Sequence, residues 1–147
     1  MTLENLLALH RLLQVTPDKV AVGKLLSAAR RNLTDARLEA VSADTRFDAA
    51  YRVIMQCAML GLLANGYRTS TSQPGHHQTA IQALPKSMGV AADRVVVLDV
   101  LRRKRNLSDY DGEPVAEALL KTCIDEAEKL LEHTETWLRQ QHPELLD

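Results

Sequence analysis

Apolar residues recur at three- and four-residue spacing along most of this chain, which predicts helices rather than strands. Leu3, Leu6, Leu7, Leu9, Leu12 and Leu13 form one wide stripe behind Thr2 as an N-cap, predicting a short accessory helix over 2–14. Thr16-Pro17-Asp18 then reads as a helix start: a cap, a proline in the first turn, and an acid facing the positive end of the helix. The second helix runs to about Ala40, with Val20, Leu25, Leu26, Ala29, Leu33, Ala36 and Val41 inward. Ser42 and Asp44 open a third, which ends at Asn65-Gly66. Phe47, Tyr51, Ile54, Met55, Ala58 and Leu62 make one stripe along it, and Val53, Cys57, Leu60 and Ala64 a second. A helix apolar on nearly all sides belongs at the centre of a fold.

Tyr67 to Gly75 is polar and ends in a turn signal, the most loop-like stretch of the chain. A short helix over His76 to Leu84 is expected to stop before Pro85. The next long one begins at Val90 or Ala91 and ends near Arg105. Val95-Val96-Val97 alone suits a strand, but Leu98 and Leu101 restore the helical period. Asp109 to Gly112 reads as a turn. Pro114 restarts the chain, and Val115, Leu119, Cys123, Ala127, Leu130, Thr134 and Trp137 follow a helical period toward Gln141. The expectation is an all-α, antiparallel up-and-down four-helix bundle with short accessory helices. It forms one domain over residues 1–147, with its core at about 17–141.

Composition narrows the function classes. One Phe, one Trp and three Tyr leave the core to Leu, Val, Ala and Met, which disfavours a sandwich or barrel. The net charge of −1 excludes a wholly basic nucleic-acid binder but leaves room for one basic patch. Cys57 and Cys123 sit in apolar helical patterns and read as small buried hydrophobes of a reducing compartment. No basic stretch followed by an apolar one opens the sequence, and the most apolar run, Val53 to Ala64, is short for a membrane span. A soluble, cytoplasmic protein is expected, with no membrane contact.

The chemistry concentrates in Arg102-Arg103-Lys104-Arg105-Asn106-Leu107-Ser108-Asp109-Tyr110. Four consecutive cations near a helix end complement the helix dipole, and most such runs are simply solvated. Arg105, however, continues the Leu98–Leu101 stripe, so its guanidinium lies along the apolar face and needs a partner. Asp109, Asp111 or an anionic ligand would supply one.

At this point the chain resembles the HEPN superfamily. The likeness lies in the order of the helices, the Phe47–Gly66 helix, the run from Ala28 to Arg37, and the R-N-x-x-D-Y segment at Arg105 to Tyr110. It covers roughly Pro17 to Gln141. The resemblance implies a four-helix bundle, a homodimer, and a role with RNA or a nucleotide in a defence or toxin–antitoxin type system. An antitoxin or nucleotidyltransferase would be its protein partner. The nuclease motif of the family is an Arg and a His with four to six residues between them. Here no His follows within that window, and the next is His133. That departure argues for binding over catalysis, with Arg102, Arg103, Arg105 and Asn106 as the binding residues. Two alternatives remain. In one, the protein is a non-catalytic helical interaction module and Arg105/Asp109 only clamps a turn. In the other, it is a metal-independent endoribonuclease in which Arg105 stabilises phosphate, Asp109 acts as base and Tyr110 donates a hydrogen bond.

No cofactor or metal is expected, since no His-Glu-x-x-His or Glu-x-x-His pair occurs. His76 and His77, just past the loop, read as helix-initiating residues. One imidazole near the Arg105 end of the bundle would nonetheless stand in for the missing His. Arg30, Arg31 and Arg37 form a second basic face, read as solvated or as tracking phosphates.

Overall fold

A computed structural model describes all 147 residues, Met1 to Asp147. The chain is mostly helical. In order come α1 (Leu3–Ala8), β1 (Leu12–Gln14), α2 (Lys19–Ala36), α3 (Ala43–Ala64), β2 (Tyr67–Thr69), α4 (His76–Gln82), α5 (Leu84–Met88), α6 (Ala92–Asp111) and α7 (Glu117–Gln141), then a 3₁₀ turn at Pro143–Leu145.

The central helix forms for the reasons its sequence gives. The Ser42 hydroxyl accepts the Thr45 amide, closing its first turn, and Gly66, at φ 89°, takes the left-handed position just beyond its end. Twelve of its residues are buried, from Phe47 to Ala64. It packs against α2 along one side and α7 along another, with α4, α5 and α6 closing the rest. One contiguous apolar cluster results, rich in Leu and Ala and holding Phe47 and Tyr51 as its rings. α3 is also the one helix long and apolar enough to cross a membrane, and most of it lies inside this core.

Two contacts fix α5 against α3. Gly61 lies so close to α5 that a Cβ there would stand 2.8 Å from Met88 Cγ and 2.9 Å from the Ser87 hydroxyl. Beside it, the Asn65 amide nitrogen donates to the carbonyls of Gly61 and Ser87 at 2.7 and 3.0 Å. Asn65 therefore ties the last turn of α3 to α5 with two bonds.

The N-terminal segment departs from the expected helix over 2–14. α1 ends at Ala8, His10 turns the chain at φ 61°, and Leu12–Gln14 is an antiparallel strand paired with Tyr67–Thr69. Leu12 is fully buried while Leu13 and Gln14 face out. The loop expected from Tyr67 thus starts with a strand. At the third site of disagreement, Pro85 opens α5, because its missing N–H costs nothing in a first turn. Lastly, α6 runs through Asp109 to Asp111 and stops at Gly112, φ 68°. The four residues read as a turn are its last helical turn and its cap.

Candidate functional site: an arginine cluster around Tyr51 and His77

Because α6 is helical through Asp111, its side chains follow a 100° step. Asp109 sits one turn beyond Arg105 and its carboxylate is 3.6 Å from Arg105 Nη1. Across the helix interface, Asp48 of α3 lies 3.5 Å from Arg105 Nε. Neither contact is a good hydrogen bond, and the buried Nε has no other partner. The guanidinium rests over the ring of Tyr51, 5.1 Å from its centroid. Arg105 is therefore held by the ring and by two loose carboxylates. Its Nε is sealed from solvent, and the exposure that remains to the side chain lies at its Nη nitrogens.

Arg102 is held tightly instead. Asp99, one turn earlier and 7% exposed, accepts from Arg102 Nε at 2.9 Å and pairs with Arg103 at 2.7 Å. Burial alone would raise the Asp99 carboxyl, but the hydrogen bonds and charges of Arg102 and Arg103 together outweigh it and hold the group below its ordinary value.

α4 brings an imidazole to the same place. His77 Nδ1 lies 3.2 Å from the Tyr51 hydroxyl, and the His76 ring stands edge-on to it, 4.6 Å away. Burial lowers the His77 pKa, and the neighbouring His76, Arg105 and Arg102 lower it further. Its ring is neutral at pH 7. Burial pushes the Tyr51 hydroxyl up to about 12 despite the two arginines, so it stays protonated and donates. With Tyr51 donating to Nδ1, His77 carries its own proton on Nε2.

The structure thus gathers Arg102, Arg105, Asp109, Tyr51 and His77, and leaves other expected residues outside. Tyr110 is 89% exposed and makes no hydrogen bond. It lies five residues beyond Arg105, about 140° around the helix, and so cannot share its face. Asn106 is likewise exposed, and Arg103 is tied up with Asp99 on an outer face. Of the second basic face, Arg30 and Arg37 are paired with Glu135 and Glu128 of α7 at 3.1 and 2.8 Å, which leaves Arg31 without an ion pair. Those two arginines cross-link helices.

Sequence reasoning placed Tyr51 in the core and overlooked Asp48 and Asp99. Asp99 had a local signal: a lone carboxylate in the apolar run Val95–Leu101, at the ion-pairing spacing before Arg102 and Arg103. Asp48 and Tyr51 had none, because their link to Arg105 spans more than fifty residues. Nowhere do three His, Cys, Asp or Glu side chains converge as metal ligands would. Comparison with protein-family models, curated proteins and solved structures gives no match.

Proposed function

We propose that this protein is a HEPN-like, RNA- or nucleotide-interacting component of a defence or toxin–antitoxin type system, acting in the cytoplasm. This reading takes α2, α3, α6 and α7, the four long helices, as the bundle that the resemblance implies. Phosphate meets Arg105 first, with Arg102 beside it. The observation that carries this reading is the state of Arg105: a partly buried guanidinium whose two carboxylates stand at 3.5 and 3.6 Å, with an unpartnered Nε. A phosphate oxygen would take up the Nη donors, which reach solvent and are only loosely held, while Nε stays sealed beside Asp48.

His77 supports the endoribonuclease alternative, in altered form. Here the ribose 2′-OH displaces the Tyr51 hydroxyl from His77 Nδ1, the one lone pair of the neutral ring, and gives up its proton there while the two guanidiniums stabilise phosphate charge. In this version His77 replaces both the absent motif histidine and Tyr110. The clamp alternative has its own support, since Arg105 joins α6 to Asp48 of α3.

A second copy of the chain fits the outer face of α6. Val96, Val100, Leu107 and Tyr110 are exposed there and recur at spacings of four and three, with Arg103 at the midpoint. An antiparallel copy would set Val96 near Tyr110 and Val100 near Leu107, and the two Arg103 side chains that meet at the axis each keep Asp99 as counter-ion at 2.7 Å. An antitoxin or nucleotidyltransferase remains the protein partner that the resemblance implies.

The test is binding and cleavage of labelled single-stranded RNA by the wild type, Arg105→Ala and His77→Ala, alongside thermal melts. Under the binding reading Arg105→Ala lowers RNA affinity about tenfold or more, the 1.4 kcal/mol of one charge-assisted contact, and keeps the melting temperature. Loss of melting temperature without loss of RNA affinity supports the clamp. Cleavage abolished by both substitutions makes the protein an enzyme.

A further inference from the structure

On the opposite stretch of α6 a cleft of about 510 Å³ opens between the end of α5, the start of α6 and the second half of α7. Arg94 and Arg105 are eleven residues apart on one helix, roughly 16 Å, so this cleft is separate from the arginine cluster. A volume of this size is in the range that holds a small organic ligand.

Its wall carries an unusual charge arrangement. Arg94 Nε and Nη2 are buried without a hydrogen bond, and the nearest carboxylate oxygen, Glu126 Oε2, stands 3.8 Å away, also unpartnered. Lys129 approaches the other oxygen of Glu126 no closer than 3.9 Å. Two cations share one carboxylate, and neither reaches hydrogen-bond distance. Nε and Nη2 are sealed against Glu126, and one carboxylate between two cations leaves a net positive charge beside the cleft, which an anionic group at its mouth would offset through Lys129 and the remaining Arg94 nitrogen.

The remaining lining residues lie in order along α7. Lys129 comes first, then Glu132 and His133, then Trp137, all on the face turned to the cleft. His133 Nε2 is 2.7 Å from the Met88 carbonyl, which only accepts, so the ring proton sits on Nε2 and Nδ1 keeps a free lone pair. Glu132 is exposed at the rim, without an ion pair, and is suited to accept from hydroxyls. Trp137, the one tryptophan of the chain, is partly exposed and backed by the His142 ring at 4.9 Å. From Lys129 to Trp137 is about 12 Å along the helix axis. Anion, hydroxyls and flat ring, in that order, are the parts of a nucleotide.

We infer that this cleft is a binding site for a nucleoside 5′-monophosphate, with phosphate at Arg94 and Lys129, ribose at Glu132 and the base on Trp137. This site does not depend on the function assigned to Arg105.

Because Trp137 is the only tryptophan, its fluorescence reports the site directly. Titration of the full-length protein with AMP is expected to quench it saturably, with a Kd below about 1 mM, while adenosine and inorganic phosphate each bind at least tenfold more weakly. Calorimetry then compares variants. Lys129→Gln, a surface change, and Arg94→Gln should each weaken AMP at least fivefold and leave adenosine unaltered, and Trp137→Phe should weaken both. Absence of saturation by AMP overturns the proposal. So does equal binding of phosphate and AMP, or wild-type affinity in Lys129→Gln with its melt unchanged.

Discussion

Replacing Asp99 by alanine is the sharpest probe of how the arginine cluster is built. Its carboxylate makes two short contacts, 2.9 Å to Arg102 and 2.7 Å to Arg103, but these two differ in what their loss would cost. The Arg103 side chain is 67% exposed and regains water when released, so that pair contributes less than about 1 kcal/mol. The Arg102 side chain is only 15% exposed, and without Asp99 its Nε is left with no partner. An unsatisfied buried donor costs about 1–3 kcal/mol, partly offset because Asp99 itself no longer needs desolvating. The expected loss for Asp99→Ala is therefore about 2 kcal/mol at pH 7, or roughly 4–8 °C in melting temperature for a chain this long. The pH dependence identifies the cause. The folded carboxyl titrates below its unfolded value of about 3.9, so its stabilisation is complete above that value and disappears as pH falls through the folded one. Urea titrations of both proteins from pH 7 down to pH 3 should show the gap narrowing as Asp99 protonates in the wild type. An equal gap at both ends, or one under about 0.5 kcal/mol throughout, would refute the charge-pairing account.

Two further outcomes follow from the core. Gly61→Ala forces a methyl against Met88 and Ser87, and overpacking of that kind should cost about 1–3 kcal/mol in denaturant midpoints, where an ordinary helical Gly→Ala gains stability. Burial pushes both the Cys57 and Cys123 thiols up to about 12, so at pH 8 iodoacetamide should label neither until denaturant unfolds the chain.

Much of the helical framework is legible in the sequence because its signals are local. Ser42 and Asn65-Gly66 mark α3 to the residue, and the two apolar stripes between them announce a central helix. The errors share a cause. Leucine does not distinguish strand from helix by itself, so Leu12–Gln14 reads as the continuation of α1, while its partner strand lies more than fifty residues away. At the end of α6, Asn106, Asp109 and Gly112 are turn residues by propensity. The Arg105–Asp109 pair at helical spacing and a left-handed Gly112 instead carry the helix to Asp111. The site was half visible for the same reason. Arg102 and Arg105 stand out along the chain, but Tyr51 and His77 join them only through packing among α3, α4 and α6. Tyr110, adjacent in sequence, is turned away by helical geometry.

The small β1–β2 ribbon has a consequence in time as well as in space. Its strands pair at positions over fifty residues apart, so closing it requires ordering a long loop for a few hydrogen bonds. The hydrogen bonds within each helix are local and have no such delay, although the packing of α3 against α7 shares it. β2 leads directly into the segment that sets α4, and hence His77, against Tyr51. The site assembles in the same order of chain separation: His77 is 26 residues from Tyr51, whereas Arg105 is about as far from that ring as the two strands are from each other, so the imidazole reaches Tyr51 first and the guanidinium and the ribbon follow.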